Sequence, residues 1–154
     1  MESVWDYPRP PRIEPCARRV RIVLGGVTIA ESTDAYRVLE TSHPPGIYVP
    51  RHDFAEAVLH PSVAGQTVCE WKGLASYLDV YGADRCEHGA AWTYLTPVPR
   101  YEALRDHVSV YPDRMDACYL DDERVTAQEG GFYGGWITAD IRGPFKGPVG
   151  TFGW

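Results

Sequence analysis

Val20-Arg-Ile-Val-Leu-Gly-Gly-Val-Thr-Ile-Ala30 reads as two β-favouring runs across a two-residue Gly25-Gly26 turn. Only residues that tolerate positive φ close so short a connection without splaying the strands, so the stretch predicts a β-hairpin. Outward from it the same texture continues. Ala35-Tyr-Arg-Val-Leu39 alternates as a third strand, and Pro44-Pro45-Gly46 turns the chain into Ile47-Tyr48-Val49. Further strands are predicted over residues 66–71, 75–81 and 85–94, the last broken near Gly89, and over 108–111, 117–120 and 124–127. Gly82-Ala-Asp84 and Asp121-Asp-Glu123 supply turns. Two segments have helical spacing: residues 51–59, with Asp53 placed to cap, and residues 101–106. The expected fold is mainly β: a single antiparallel, tent-like domain with one or two short helices.

The two ends differ from this body. Residues 1–18 carry Pro8, Pro10, Pro11 and Pro15, which predicts an extended arm without regular structure. Residues 19–127 form the β domain. Residues 128–154 are a C-terminal extension, and from Gly130 onward it holds eight of the fifteen glycines together with Phe132, Tyr133, Trp136, Phe145, Phe152 and Trp154. Disordered tails are poor in aromatic residues, so this one is expected to dock in an ordered way, on its own domain or as a homodimer arm.

At 154 residues and 44% hydrophobic content the chain suits one core. A net charge of -6 and a pI near 5.3 argue against nonspecific nucleic-acid binding, which needs an excess of clustered Lys and Arg. No apolar run is long enough for a membrane helix, and Met1-Glu-Ser-Val-Trp-Asp6 lacks the basic and apolar regions of a secretory signal; a cytoplasmic protein with no membrane partner is expected. Cys16, Cys69, Cys86 and Cys118 form no Cys-x-x-Cys pair, and the five histidines show no metal-ligand spacing. They read as free thiols and as surface or capping histidines, with neither a metal site nor a cofactor expected.

The chemistry concentrates in Cys69-Glu-Trp-Lys-Gly-Leu-Ala-Ser-Tyr77 and Ala90-Ala-Trp-Thr-Tyr94. If residues 68–72 are a strand, Val68, Glu70 and Lys72 share one face while Cys69 and Trp71 share the other, so only one set lines a pocket. Lys72 beside a carboxylate suits anion binding or, if desolvated, nucleophilic or base chemistry; Gly73 lets a backbone or a ligand come close. Cys69 is a nucleophile only with a depressed pKa. Arg51, where a strand gives way to the helical segment, can hold a carboxylate or phosphate bidentately, or simply pair with Asp53. Trp71, Tyr77, Trp92 and Tyr94 offer an aromatic box for a planar or cationic ligand, or plain core.

Tyr48-Val-Pro-Arg51, the Cys69–Tyr77 run, Ala90-Ala-Trp-Thr-Tyr94 and the meander after Val108 together resemble domain-of-unknown-function family 427, over about residues 19–127. The tail Tyr133-Gly-Gly-Trp and Gly143-Pro-Phe-Lys-Gly is similar to extensions on some of its members. The resemblance implies a tent-like β fold, similar to methionine sulfoxide reductase B and the cereblon imide-binding domain, with a ligand groove between sheets. Those relatives hold zinc through Cys-x-x-Cys pairs, which this chain lacks, so neither their metal nor their thiol chemistry carries over. The family is also grouped with nucleotidyltransferases, but no Gly-Ser with paired acidic metal ligands accompanies the motifs here. The matching positions are Tyr48, Arg51, Cys69, Lys72, Gly73, Tyr77, Trp92 and Tyr94, expected to converge in one cleft.

Three functions follow as expectations. The first is a small-molecule enzyme whose cleft uses Arg51 and Lys72 on an anionic or polar planar ligand, with Tyr77 and Cys69 as further reactive groups. The second is a noncatalytic module whose aromatic cage holds a ligand or peptide. The third is an assembly protein that uses the tail as a dimer arm.

Overall fold

Strict alternation builds the walls. In the strand Gly46–Pro50, Ile47 and Val49 point to one side and Tyr48 to the other; in Val20–Leu24 the odd positions of the run are sealed and the even ones half-exposed. A computed structural model describes residues 1–154. Its strands, in chain order, are β1 (Glu2–Ser3), β2 (Arg12–Pro15), β3 (Val20–Leu24), β4 (Val27–Ser32), β5 (Tyr36–Leu39), β6 (Gly46–Pro50), β7 (Leu59–Cys69), β8 (Gly73–Gly82), β9 (Arg85–Thr93), β10 (His107–Val110), β11 (Ala117–Leu120), β12 (Glu123–Arg124), β13 (Thr126–Ala127), β14 (Trp136–Ile137) and β15 (Ile141–Arg142). A seven-stranded sheet runs in the order β2-β5-β6-β10-β9-β8-β7 and a four-stranded sheet in the order β12-β11-β3-β4, every neighbouring pair antiparallel. The fold is mainly β, as expected.

The main core lies between the two sheets. Val20, Ile22, Leu24 and Ile29 from the smaller sheet meet Ile47, Val49, Leu78, Val80, Val108 and Val110 from the larger, all nearly solvent-free. The predicted hairpin closes through Gly25 and Gly26 at φ +64° and +76°. Gly25 also abuts the second hairpin, for a Cβ there would sit 2.0 Å from the Gly82 carbonyl oxygen.

Both predicted helices are of another kind, the first shorter and the second shifted two residues towards the N-terminus. Arg51–Asp53 and Pro99–Leu104 are 3-10 segments. In the first region Phe54 bridges Ala30 and the Ala55 N–H donates to Ile29 O at 2.8 Å, so backbone groups a helix needs are spent on β4. In the second, Tyr101 is kinked to φ -112° and its hydroxyl donates to Pro11 O at 2.8 Å. β7 starts seven residues before the predicted Gln66 and carries a register irregularity between Pro61 and Gln66.

The proline-rich segment is not an unstructured arm. Arg12–Pro15 pairs with β5 as the edge of the large sheet, a position where proline is tolerated because one side needs no ladder bond, and Glu2–Ser3 pairs in parallel with β15. The C-terminal extension packs on its own domain. Trp136, 1% exposed, joins the main core, with its backbone N–H on Pro45 O at 2.9 Å and its indole N–H on Val110 O at 3.4 Å. No helix is long and apolar enough to cross a membrane.

Candidate functional site

The face of the large sheet that points away from the core carries rings where the inner face carries aliphatics. Register sets Tyr77 opposite Trp92 and Trp92 opposite Ser109, while Tyr48 on β6 reaches the same patch. The Trp92 indole donates to the Tyr48 hydroxyl at 3.2 Å, the Tyr48 and Tyr94 rings are 6.3 Å apart, and the Tyr77 and Thr67 hydroxyls lie 3.0 Å apart. These rings floor a cavity of about 320 Å³, the low end of the usual size for small-molecule sites. Burial raises the pKa of the Tyr94 phenol, and the neighbouring Tyr48 and Cys69 add to it. Tyr94 therefore stays a neutral hydroxyl.

The strand reading of residues 68–72 does not hold past Cys69. β7 ends there and Glu70–Lys72 form a turn, closed by Gly73 at φ +114° and pinned by the Val98 N–H on Lys72 O at 2.9 Å. The turn abolishes the opposition of faces. Cys69, Glu70, Trp71 and Lys72 all line the cavity, and the Lys72 backbone N–H donates to the Cys69 sulfur at 3.4 Å. Gly73 shapes the turn without lining the cavity.

Lys72 is only 8% exposed, and its ammonium forms no ion pair within 4.0 Å. Its Nζ lies 5.8 Å from the Tyr94 ring centroid. Burial opposes its charge, yet Tyr48 and Cys69, which act as charges only when ionised, and the Glu40 carboxylate outweigh this, so that its pKa lies above the ordinary value. The group is a retained cation, not a desolvated base. A buried charge without a close counter-charge is costly, and an anion in the cavity would supply one.

Arg51 does not join this group. β6 ends at Pro50, and the following 3-10 turn carries Arg51 past the edge of the cavity into solvent, its N–H held by Asp106 O at 2.8 Å. Tyr48, Cys69, Trp71, Lys72, Tyr77, Trp92 and Tyr94 do share the cavity.

Its side and roof come from residues that motif reading passed over. Glu40 and His43 stand at one side; Gln128, Tyr133, Gly134 and Lys146 come from the C-terminal extension. Gly134 lies on the Trp92 indole so closely that a Cβ would sit 2.2 Å from its ring edge, and a Cβ on Gly135 would sit 2.5 Å from Pro44 Cγ. Gln128, buried, ties the roof together: its side-chain oxygen accepts the Gly135 N–H at 3.1 Å and its amide donates to Lys146 O at 2.7 Å. Lys146 Nζ stands 5.5 Å from the Tyr133 ring centroid. One signal was available in composition. The chain has two lysines, Lys72 and Lys146, against thirteen arginines, and both lysines line this cavity.

His43 is largely buried beside Glu40, whose carboxylate lies 3.8 Å from Nε2 and is itself paired with Arg9 at 3.4 Å. Burial, helped by Lys146, Arg9 and Lys72, pushes the His43 pKa down to about 4 against the pull of Glu40. All four cysteines are free, and no cluster of three or more His, Cys, Asp or Glu side chains is placed to hold a metal ion.

An antiparallel β domain with a roofed aromatic pocket on the outer face of its larger sheet is the class this geometry defines. Within that class the chain belongs to the family described as domain of unknown function DUF427, whose model matches residues 12–121. The match opens on β2 and closes just after β11; the roof lies beyond it. No curated protein matches the chain.

Proposed function

We propose that the protein binds a small planar organic anion in this cavity, with Lys72 taking the charge and the Tyr48, Trp92 and Tyr94 rings stacking against or enclosing the flat part. The observation that carries the reading is Lys72: a buried ammonium, pKa held up, opening on a cavity and lacking a carboxylate partner. The second lysine at the roof has the same sign, while Glu40 is occupied by Arg9. Few precisely placed polar groups among aromatic walls are what ligand sites of this size use.

A catalytic version of the same reading is favoured by Cys69, whose sulfur accepts the Lys72 backbone N–H at 3.4 Å and which lines the same cavity. There Lys72 stabilises developing negative charge and Cys69 is the nucleophile.

A thermal-shift screen of planar carboxylates, nucleotides and imides against the native chain and Lys72→Met tests both, because a ligand that binds only the folded state raises its stability. Planar carboxylates are expected to raise the midpoint of the native chain and not of the variant. Equal shifts in the two proteins would remove Lys72 as the anchor. Turnover of a bound carboxylate derivative that disappears in Cys69→Ser would select the catalytic version.

A further inference from the structure

Gln128 has its amide orientation fixed from two sides. The Gly135 N–H can only donate, so the group 3.1 Å from it is the amide oxygen; the Lys146 carbonyl can only accept, so the group 2.7 Å from it is the amide nitrogen. The same nitrogen lies 3.2 Å from His43 Nδ1. An amide nitrogen has no lone pair to offer, and Nδ1 must therefore accept. A neutral imidazole that accepts at Nδ1 carries its proton on Nε2.

That Nε2–H has no acceptor in the protein. Glu40 is 3.8 Å away, beyond hydrogen-bond reach, and Arg9 draws on its carboxylate. Lys146 and Lys72, whose charges act on the imidazole, can only donate, and the Tyr133 ring stands 5.2 Å away edge-on. Both lysines and Arg9 disfavour a second proton on His43, and with burial they keep it neutral at neutral pH.

We infer that His43 is a specificity-determining hydrogen-bond donor, locked as the Nε2–H tautomer by the positioning residue Gln128, so that with Lys72 it selects the oxygens of a carboxylate or enolate. This deepens the anion-binding reading and rests on it. Neither ring nitrogen is free to take a proton: Nδ1 is occupied and Nε2 already holds one. His43 is thus excluded as a general base in this state and acts as a neutral electrophilic partner to the lysine. Acceptor-rich, planar ligands fit such a site; amines and amidines do not.

The test uses the full chain with 15N-labelled histidine and benzoate as the probe. The long-range nitrogen–proton spectrum at pH 7 is expected to give the Nε2–H pattern for His43, and Gln128→Glu, whose carboxylate accepts from Nδ1–H, is expected to shift it to the other tautomer. Titration is expected to show benzoate binding weakened about tenfold in His43→Phe and kept within a few-fold in His43→Gln, which restores an N–H, while benzylamine does not bind. An Nδ1–H or mixed pattern in the native chain overturns the inference even if Gln128→Glu fails to fold. Unchanged affinity in His43→Phe, with binding still lost in Lys72→Met, overturns the donor role alone. Failure of benzoate to bind the native chain overturns the anion-binding reading together with it.

Discussion

The two faces of the seven-stranded sheet are made by the same strands and end in different states. On β6, Ile47 and Val49 are sealed in the core while Tyr48 between them floors the cavity; on β8, Leu78 and Val80 face in while Ala75 and Tyr77 face out. Inward residues are aliphatic and have nothing left to bond. Outward ones carry hydroxyl, indole and ammonium groups around a space the roof covers without filling. Period-two alternation lets one strand serve both ends: packing on one face fixes the backbone on which the other places its polar groups. The face that holds the fold together and the face that lines the cavity should therefore respond differently to substitution and to pH.

The largest effect is expected on the inner side. Trp136→Ala removes a fully buried indole between the sheets and should cost about 3–5 kcal/mol in denaturant unfolding. A loss below about 1 kcal/mol would mean that the extension is not part of the core.

The outer side should show itself in acid. The folded pKa of His43 is lowered to about 4 from an ordinary 6.5, so between these values the unfolded chain binds the extra proton. The contribution is intact above pH 6.5 and is lost as pH falls towards 4, up to about 3 kcal/mol. His43→Phe should flatten unfolding stability across that window; a native slope that survives the substitution would assign the effect elsewhere.

Gly134→Val comes next. It drives a side chain into Trp92 and should cost about 1–3 kcal/mol while closing the cavity to the probe carboxylate. Binding that persists at native affinity would show that the roof lifts freely. The smallest effect belongs to Arg51→Ala, exposed and outside the cavity: about 0.5 kcal/mol or less in stability, with carboxylate affinity unchanged. A tenfold loss of affinity would return Arg51 to the site.

What could be read from the residues alone follows from how local the cause is. The Gly25-Gly26 hairpin and the passage through Pro44-Pro45-Gly46 into the strand at Ile47-Tyr48-Val49 are set by residues close along the chain, and both stand as expected. The helical reading of residues 51–59 failed because Phe54 and Ala55 spend their spacing and backbone on β4, far along the chain. β7 was missed over its first half because an edge strand exposed on both sides has no alternation to reveal it. The aromatic floor and Lys72 were legible as a dense local run, although the turn that turns Cys69 and Lys72 into the same space was not. His43, Gln128 and Lys146 carry no shared motif; only the return of the extension over the sheet, through Gly134 on Trp92, makes them neighbours.

That return also divides the cavity at the edge of the family match. The floor, the Lys72 turn and His43 lie within the residues shared with the DUF427 family, while Gln128, Tyr133 and Lys146 come after them. The Lys72 turn lies inside the matched residues and the roof outside them. A family member with another ending would keep the turn and lose this roof, so that the space above the floor can change without disturbing the sheets.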